Sequence, residues 1–157
     1  ELKDIYGTDN IDYILSTESS IEEALKDSDL VIGAVYVIGK QAPKVVKNNM
    51  LENMKSGAVM VDISIDQGGC FESSRPTTHD EPTYLHNGVL HYCVTNMPGA
   101  VPLTATEALN KATLSYVLEL ANKGIEIALS ENLHLANGLN IKNGKVVHEA
   151  VKEALTS

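Results

Sequence analysis

Through the first hundred residues the apolar positions fall in short, almost unbroken runs, and beyond them they recur at helical spacing. The runs at residues 30–37 and 58–65 are nearly continuous, the pattern of parallel strands covered on both faces. Shorter runs at 12–17 and 90–96 predict two further strands. Between the first two lies Ser20-Ile21-Glu22-Glu23, which has the form of a capping box and predicts a helix reaching Ser28. Between the second and third, Pro43 marks a helix start. Val46, Met50 and Met54 then recur at i, i+4, i+8 before Gly57 stops the helix. Such alternation predicts an α/β fold with a parallel sheet.

After Pro102 the period changes. Thr104-Ala105-Thr106-Glu107 reads as a second capping box. Ala108, Leu109, Ala112, Tyr116, Val117, Leu120 and Ala121 then form an apolar stripe that ends at Lys123-Gly124. A short helix is expected at 125–130 and a last one at 145–155, with Val147, Ala150, Val151 and Ala154 on one face. This divides the chain into a sheet domain, 1–102, and a helical segment, 103–157. At the other end, Glu1 to Tyr6 reads as the close of a helix stopped by Gly7. With no initiator Met, the chain is expected to be a piece of a longer protein.

Composition narrows the function without changing the fold. At 157 residues, 43% hydrophobic and 21% charged, the chain has ordinary globular proportions. A net charge of −9 argues against nucleic acid, which is bound by basic surfaces. An anionic cofactor stays possible, because backbone N–H groups hold phosphate whatever the net charge. No apolar run approaches the roughly 18 residues of a membrane span. Cys70 and Cys93 have no zinc-ligand spacing. Free thiols in a cytoplasmic protein are the expectation, with Cys93 buried in a strand and Cys70 packed rather than nucleophilic. His79, His86, His134 and His148 are expected to be solvated.

The chemistry should lie beyond the carboxyl ends of the strands, where open parallel sheets bind ligands. Three segments leave those ends: Gly33-Ala34-Val35-Tyr36, Ile63-Ser64-Ile65-Asp66-Gln67-Gly68-Gly69, and Thr95-Asn96-Met97-Pro98-Gly99. Each alone is an ordinary turn. Together they bring a carboxylate, amides, hydroxyls and glycines toward one crevice.

These segments also carry a resemblance. Val31-Ile32-Gly33-Ala34-Val35, Ala42-Pro43-Lys44-Val45-Val46, Asp62 through Glu72, Ser74-Arg75-Pro76-Thr77-Thr78-His79, His91 through Pro102 and Asn110 through Val117 resemble the alanine dehydrogenase family, in order and at family spacing. The resemblance implies an incomplete doubly wound, Rossmann-type parallel sheet followed by C-terminal helices belonging to a substrate domain. It implies oxidative deamination of L-alanine to pyruvate and ammonia, with hydride passing to NAD. Asp66 then matches the catalytic aspartate, which handles protons with a histidine from a missing N-terminal half. Gln67, Asn96 and Met97 match substrate-pocket positions. Val35, Tyr36, Ile63, Ser64, Ile65, Asp66, Val94, Thr95, Asn96 and Met97 match cofactor-contacting segments, Arg75 a cofactor-contacting arginine, and Ser16 a position on the adenosine side.

The same resemblance makes absences informative. The chain has no GxGxxG turn, and family comparison would put 12–17 as the third strand of a 3-2-1-4-5-6 sheet, separated from 30–37 by two strands not present. Without those, 12–17 and 30–37 should pair directly or with another copy, as the family's homohexamers suggest. Some members hold a divalent cation through a glutamate and a histidine one helical turn apart; here those positions are Glu119 and Lys123, so no metal is expected. Two other readings stand beside the dehydrogenase. One is the nucleotide-binding part of a transhydrogenase, the other a non-catalytic module that only assembles with a partner.

Overall fold

A computed structural model describes residues 2–156. They fall into two units: one runs to Val35 and resumes over Ala42–Thr95, the other comprises Tyr36–Gln41 and the described residues from Asn96 onward.

The first unit holds α1 (Leu2–Tyr6), α2 (Glu18–Asp27) and the strands β1 (Leu30–Gly33), β2 (Val59–Asp62), β3 (Thr83–His86) and β4 (Val89–Tyr92). Their order in the sheet is β1-β2-β4-β3. The first three in that order are parallel, with Ile32 opposite Val61 and Val61 opposite Tyr92. The strand β3 adds an antiparallel edge, Leu85 facing Leu90. Its turn, Asn87-Gly88, has φ of 49° and 77°, the paired positive values that Asn-Gly supplies to a two-residue hairpin. The Asn-Gly pair is the sequence signal for this hairpin. The core lies on one side of the sheet: Leu25 from α2, Met50 and Leu51 from the 3-10 helix Asn48–Asn53, Met60 from β2, then Phe71 and Val89.

Several expectations need correction here. Residues 12–17 form no strand and do not pair with β1. Instead Ser20 Oγ donates to Leu15 O, and Thr17 caps α2, its Oγ1 accepting from Ser20 N–H at 3.1 Å while Ser20 Oγ accepts from Thr17 N–H at 2.9 Å. The capping box therefore starts three residues earlier than Ser20. An extended segment with no neighbour gains no ladder, and local hydroxyl bonds take over. Among the described residues the outer edge of β1 is unpaired, and Leu30 and Ile32 on it are each 57% exposed.

The helix expected from Pro43 is also reduced, to Asn48–Asn53. Val45 and Val46 N–H groups bond to Cys70 O, and Val46 bridges Phe71 in parallel. Two β-branched residues with a strand-like partner stay extended. Val46 and Met50 are buried all the same, with Met54 half-buried.

The second unit is helical. Helix α3 (Pro102–Lys123) starts on its proline with no side-chain cap, so the Thr104 capping box does not form. Gly124, φ 76°, turns the chain into α4 (Ile125–Glu131). Asn132 caps the unexpected α5 (Leu133–Asn137) and donates to Glu119 at 2.7 Å. The helix expected at 145–155 is shortened. Asn143-Gly144, both at positive φ, closes a hairpin between β5 (Ile141–Lys142) and β6 (Lys145–Val146), and α6 runs over Glu149–Thr156. No side chain of α3 is buried. Among the described residues no helix is long and apolar enough to cross a membrane.

One glycine ties the sheet to the loop beyond it. A Cβ on Gly33 would stand 2.4 Å from Cys70 Sγ and 2.6 Å from Phe71 Cζ, too close for any atom pair. Overpacking of this kind costs about 1–3 kcal/mol. Gly33→Ala is therefore expected to lower the unfolding free energy in urea by that amount; an unchanged midpoint would contradict this packing.

Candidate functional site

In the first unit, the parallel strands β1, β2 and β4 all point their carboxyl ends the same way. What leaves those ends is held by one side chain. Asp62, the last residue of β2, is fully buried. Its Oδ1 accepts from Ser64 N–H at 3.0 Å, and its Oδ2 from Cys70 N–H at 2.8 Å and Phe71 N–H at 3.4 Å, with the Ser74 hydroxyl donating to the same oxygen. A buried carboxylate is tolerated only with such a set of donors. The Asp62 cap ends the expected strand early and curls Ile63–Gln67 into a 3-10 turn. Gly68 and Gly69 follow at φ 88° and 77°. A Cβ on Gly69 would lie 2.8 Å from Asp62 Oδ2, so the second glycine is required by contact as well as by conformation.

This turn collects most of the predicted residues of the unit. Ser64 is buried, and its hydroxyl accepts from Val35 N–H at 2.8 Å and donates to Val35 O at 2.9 Å. That reciprocal pair joins the ends of β1 and β2. Ile65 faces the core at 3% exposure, whereas Ile63 is 53% exposed. Asp66 is exposed on the turn. Gln67 is half-buried; its carbonyl accepts from Ala42 N–H at 2.9 Å, and its Oε1 is buried with no hydrogen-bond partner.

Beyond β4, Val94 is buried and bridges Thr77, while Thr95 is exposed and its N–H bonds to Thr77 O at 3.1 Å. Arg75 lies in the loop before Thr77, exposed, its guanidinium 4.0 Å from the centre of the Tyr84 ring. Tyr84 in turn donates to Ser73 O at 2.8 Å, so Arg75 is held by a cation–π contact. Ser16 precedes the cap of α2. Lys47 pairs with Glu18 at 2.7 Å and Lys55 with Asp29 at 3.0 Å, and β1 follows directly on the C-terminus of α2. The helix therefore runs back across the sheet, and its N-terminal end lies on the side of the carboxyl ends. The remaining three predicted residues belong to the second unit. Tyr36 is 73% exposed, Asn96 takes a left-handed conformation at φ 52°, and Met97 opens the short 3-10 helix Met97–Ala100.

Asp62 escaped the candidate set. The Asp-x-Ser spacing of a capping carboxylate was its available signal. His91 was also missed. It is fully buried, 2.7 Å from Ser73 Oγ and stacked on Tyr84 at 5.0 Å. Burial lowers its pKa below the ordinary value, which keeps the ring neutral. The four histidines expected in solvent divide: His79 and His134 are exposed, but His86 and His148 are half-buried, and His148 Nδ1 is buried without a partner. Both thiols are buried and free. Burial, followed by the charge of Asp62, pushes Cys70 up to about 11, so at neutral pH it is a packed thiol. Among the described residues no group of three His, Cys, Asp or Glu could hold a metal ion.

Comparison with known proteins gives a consistent neighbourhood. The family model described as "Alanine dehydrogenase/PNT, C-terminal domain" matches residues 1–149. An alanine dehydrogenase of Halomonas elongata is 56% identical over 141 residues, which is 90% of this chain and 38% of that protein. One from Staphylococcus saprophyticus is 52% identical over 156 residues, 99% of this chain and 42% of that protein. A solved L-alanine dehydrogenase superposes with a TM-score of 0.82 at 46% identity, over 99% of this chain and 42% of its own. A transhydrogenase from Sinorhizobium meliloti, at TM-score 0.69 and 22% identity, shares the fold. The chain thus spans about two fifths of the length of the curated relatives it matches.

Two stability tests follow from the buried carboxylate. Asp62→Asn puts an amide N–H against a backbone N–H of Ser64 or Cys70 that cannot accept, and leaving buried donors unpaired costs about 1–3 kcal/mol each. The expected result is a large loss of stability in urea; a shift of a few tenths would contradict the assignment. The second test concerns Cys70. Its folded pKa lies above the unfolded value, so the unfolded chain loses its proton first as pH rises. The stability from the neutral thiol is complete below about 9 and declines through about 11. Cys70→Ala is expected to flatten the stability–pH curve in that window by about one proton; an identical slope would contradict it.

Proposed function

The chain belongs to the alanine dehydrogenase/PNT C-terminal domain family, and we propose that it forms the C-terminal part of an NAD-dependent L-alanine dehydrogenase. The observation that carries the reading is the turn beyond β2. It holds Asp66 and Gln67 exposed and half-buried, respectively, at the carboxyl end of a central parallel strand, on a backbone fixed by Asp62. The residues present suit a nicotinamide nucleotide. The buried, unpartnered Oε1 of Gln67 is an acceptor in want of a donor, and exposed Ile63 with half-buried Val35 offers an apolar edge to a planar ring. Arg75, already stacked on Tyr84, suits a phosphate or ribose edge.

When bound, the nicotinamide would take the hydride from the α-carbon of alanine. The chain's own part is proton handling and orientation. Asp66 accepts the proton of the water that adds to the resulting imine, and ammonia and pyruvate are then released. Gln67, Asn96 and Met97 contact the substrate. Val35, Tyr36, Ile63, Asp66, Thr95, Asn96 and Met97 contact the cofactor, with Ser16 on its adenosine side, while the buried Ser64, Ile65 and Val94 reach it only through their backbone. The remaining sheet strands and the groups that hold the substrate carboxylate come from the rest of a longer, cytoplasmic, homo-oligomeric enzyme. Exposed Leu109, Val117 and Leu118 on α3 supply apolar surface for that assembly. Residues 103–157 then serve its substrate domain.

Two measurements test this. The 157-residue chain alone is expected to yield no NADH from L-alanine, because neither reactant is positioned; turnover by homogeneous material would contradict it. In an enzyme of full family length carrying this sequence, Asp66→Asn should bind NADH normally and melt at an unchanged temperature. Its turnover should fall by about 10²–10⁴-fold, the usual contribution of a general acid–base group. Near-normal turnover would remove Asp66 from the chemistry.

A further inference from the structure

The turn that carries Asp66 is gripped from a second direction. Lys44 Nζ donates to Gly68 O at 2.5 Å and to Gly69 O at 2.9 Å. The segment bearing Lys44 is itself registered against the turn, with Ala42 N–H bonded to Gln67 O at 2.9 Å and Val45 N–H to Cys70 O at 2.8 Å. Lys44 sits between those two backbone bonds, so its ammonium is directed at the two glycine carbonyls by the chain itself. Among the described residues it forms no ion pair. Its hydrogen bonds go to neutral carbonyls although the chain carries a net charge of −9. The carbonyls it selects belong to the two left-handed residues directly after Asp66-Gln67.

The inner side of the same turn is fixed by N–H groups donating to Asp62. The outer side is fixed by carbonyls accepting from Lys44. Glycines at positive φ are conformationally loose, and a turn built on two of them in succession would otherwise sample several orientations. We propose that Lys44 is a positioning residue for the dehydrogenase reaction, clamping Gly68 and Gly69 so that Asp66 and Gln67 keep one orientation toward the substrate. This rests on the reading of Asp66 as the proton-handling group. Lys44 acts through the turn and touches no reactant.

The test uses an enzyme of full family length carrying this sequence, with Lys44→Met, Lys44→Arg and Asp66→Asn compared side by side. Lys44→Met should lower kcat by about 10- to 100-fold, the scale of a small misplacement of reacting groups, with KM for alanine and the NADH affinity little changed. The melting temperature should hold, because one lost bond is exposed, the other only part-buried, and Lys44 itself is exposed. Amide hydrogen exchange at Gly68, Gly69 and Cys70 should accelerate, and Lys44→Arg, which keeps donors for two carbonyls, should recover most of the rate. Full kcat in Lys44→Met beside a crippled Asp66→Asn would overturn the clamp and leave the catalytic reading intact. Full kcat in both would overturn the two together. A loss in Lys44→Met that follows a fall in melting temperature and is not recovered by arginine would make Lys44 structural only, and would also overturn the proposal.

Discussion

Asp62 sits at the end of β2 with no exposure to solvent, and a carboxylate so placed is affordable only while its donors stay in position. Those donors are the N–H groups of Ser64, Cys70 and Phe71 and the hydroxyl of Ser74. Satisfying one side chain therefore dictates the path of the backbone from the strand end to Ser74. The 3-10 turn, the two left-handed glycines and the burial of Cys70 and Phe71 beneath Gly33 are all consequences of that path. So is the presentation of Asp66 on the outside of the turn, while Ile65 faces inward. A single desolvated charge is thus shared by the core, which it anchors, and by the candidate site, which it shapes.

Strands β1 and β2 were legible in the apolar runs at 30–37 and 58–65, although the sheet packs its core on one face and leaves Leu30 and Ile32 exposed on the other. Strand ends were not. β1 stops at Gly33 and β2 at Asp62 because Ser64 and Asp62 bond to specific backbone groups, a matter of geometry rather than periodicity. Residues 43–54 show the opposite failure: a helical period was present, but Val45 and Val46 found a backbone partner across the unit and stayed extended. Residues 12–17 carry strand-like composition with no neighbour to pair with, and hydroxyl caps decided their conformation. The Asn-Gly pairs at 87–88 and 143–144 each specified a hairpin in the sequence itself. They were hidden only because longer apolar patterns around them suggested something else.

The candidate site was legible as a set of segments rather than as a list of roles. The sheet brings Val35, Ile63 to Gln67, and Val94 with Thr95 to the carboxyl ends of three adjacent parallel strands, as the order of strands required. What the sequence hid was the support beneath them. Asp62 and Lys44 lie within the family-like segments, but neither a buried acceptor nor a lysine bonded to carbonyls has a spacing that distinguishes it. His91 was hidden likewise. Its ring is neutral and buried, hydrogen-bonded to Ser73 and stacked on Tyr84, which carries Arg75 on its other contact.

The direct measurement of the central claim is the crystal structure of an enzyme of full family length carrying this sequence, soaked with NADH and pyruvate. Nicotinamide density is expected across the carboxyl ends of β1, β2 and β4, with the Asp66 carboxylate facing the substrate carbonyl and Asp62 still enclosed by its donors. Nicotinamide bound elsewhere, or Asp66 turned away from the substrate with its turn intact, would contradict it.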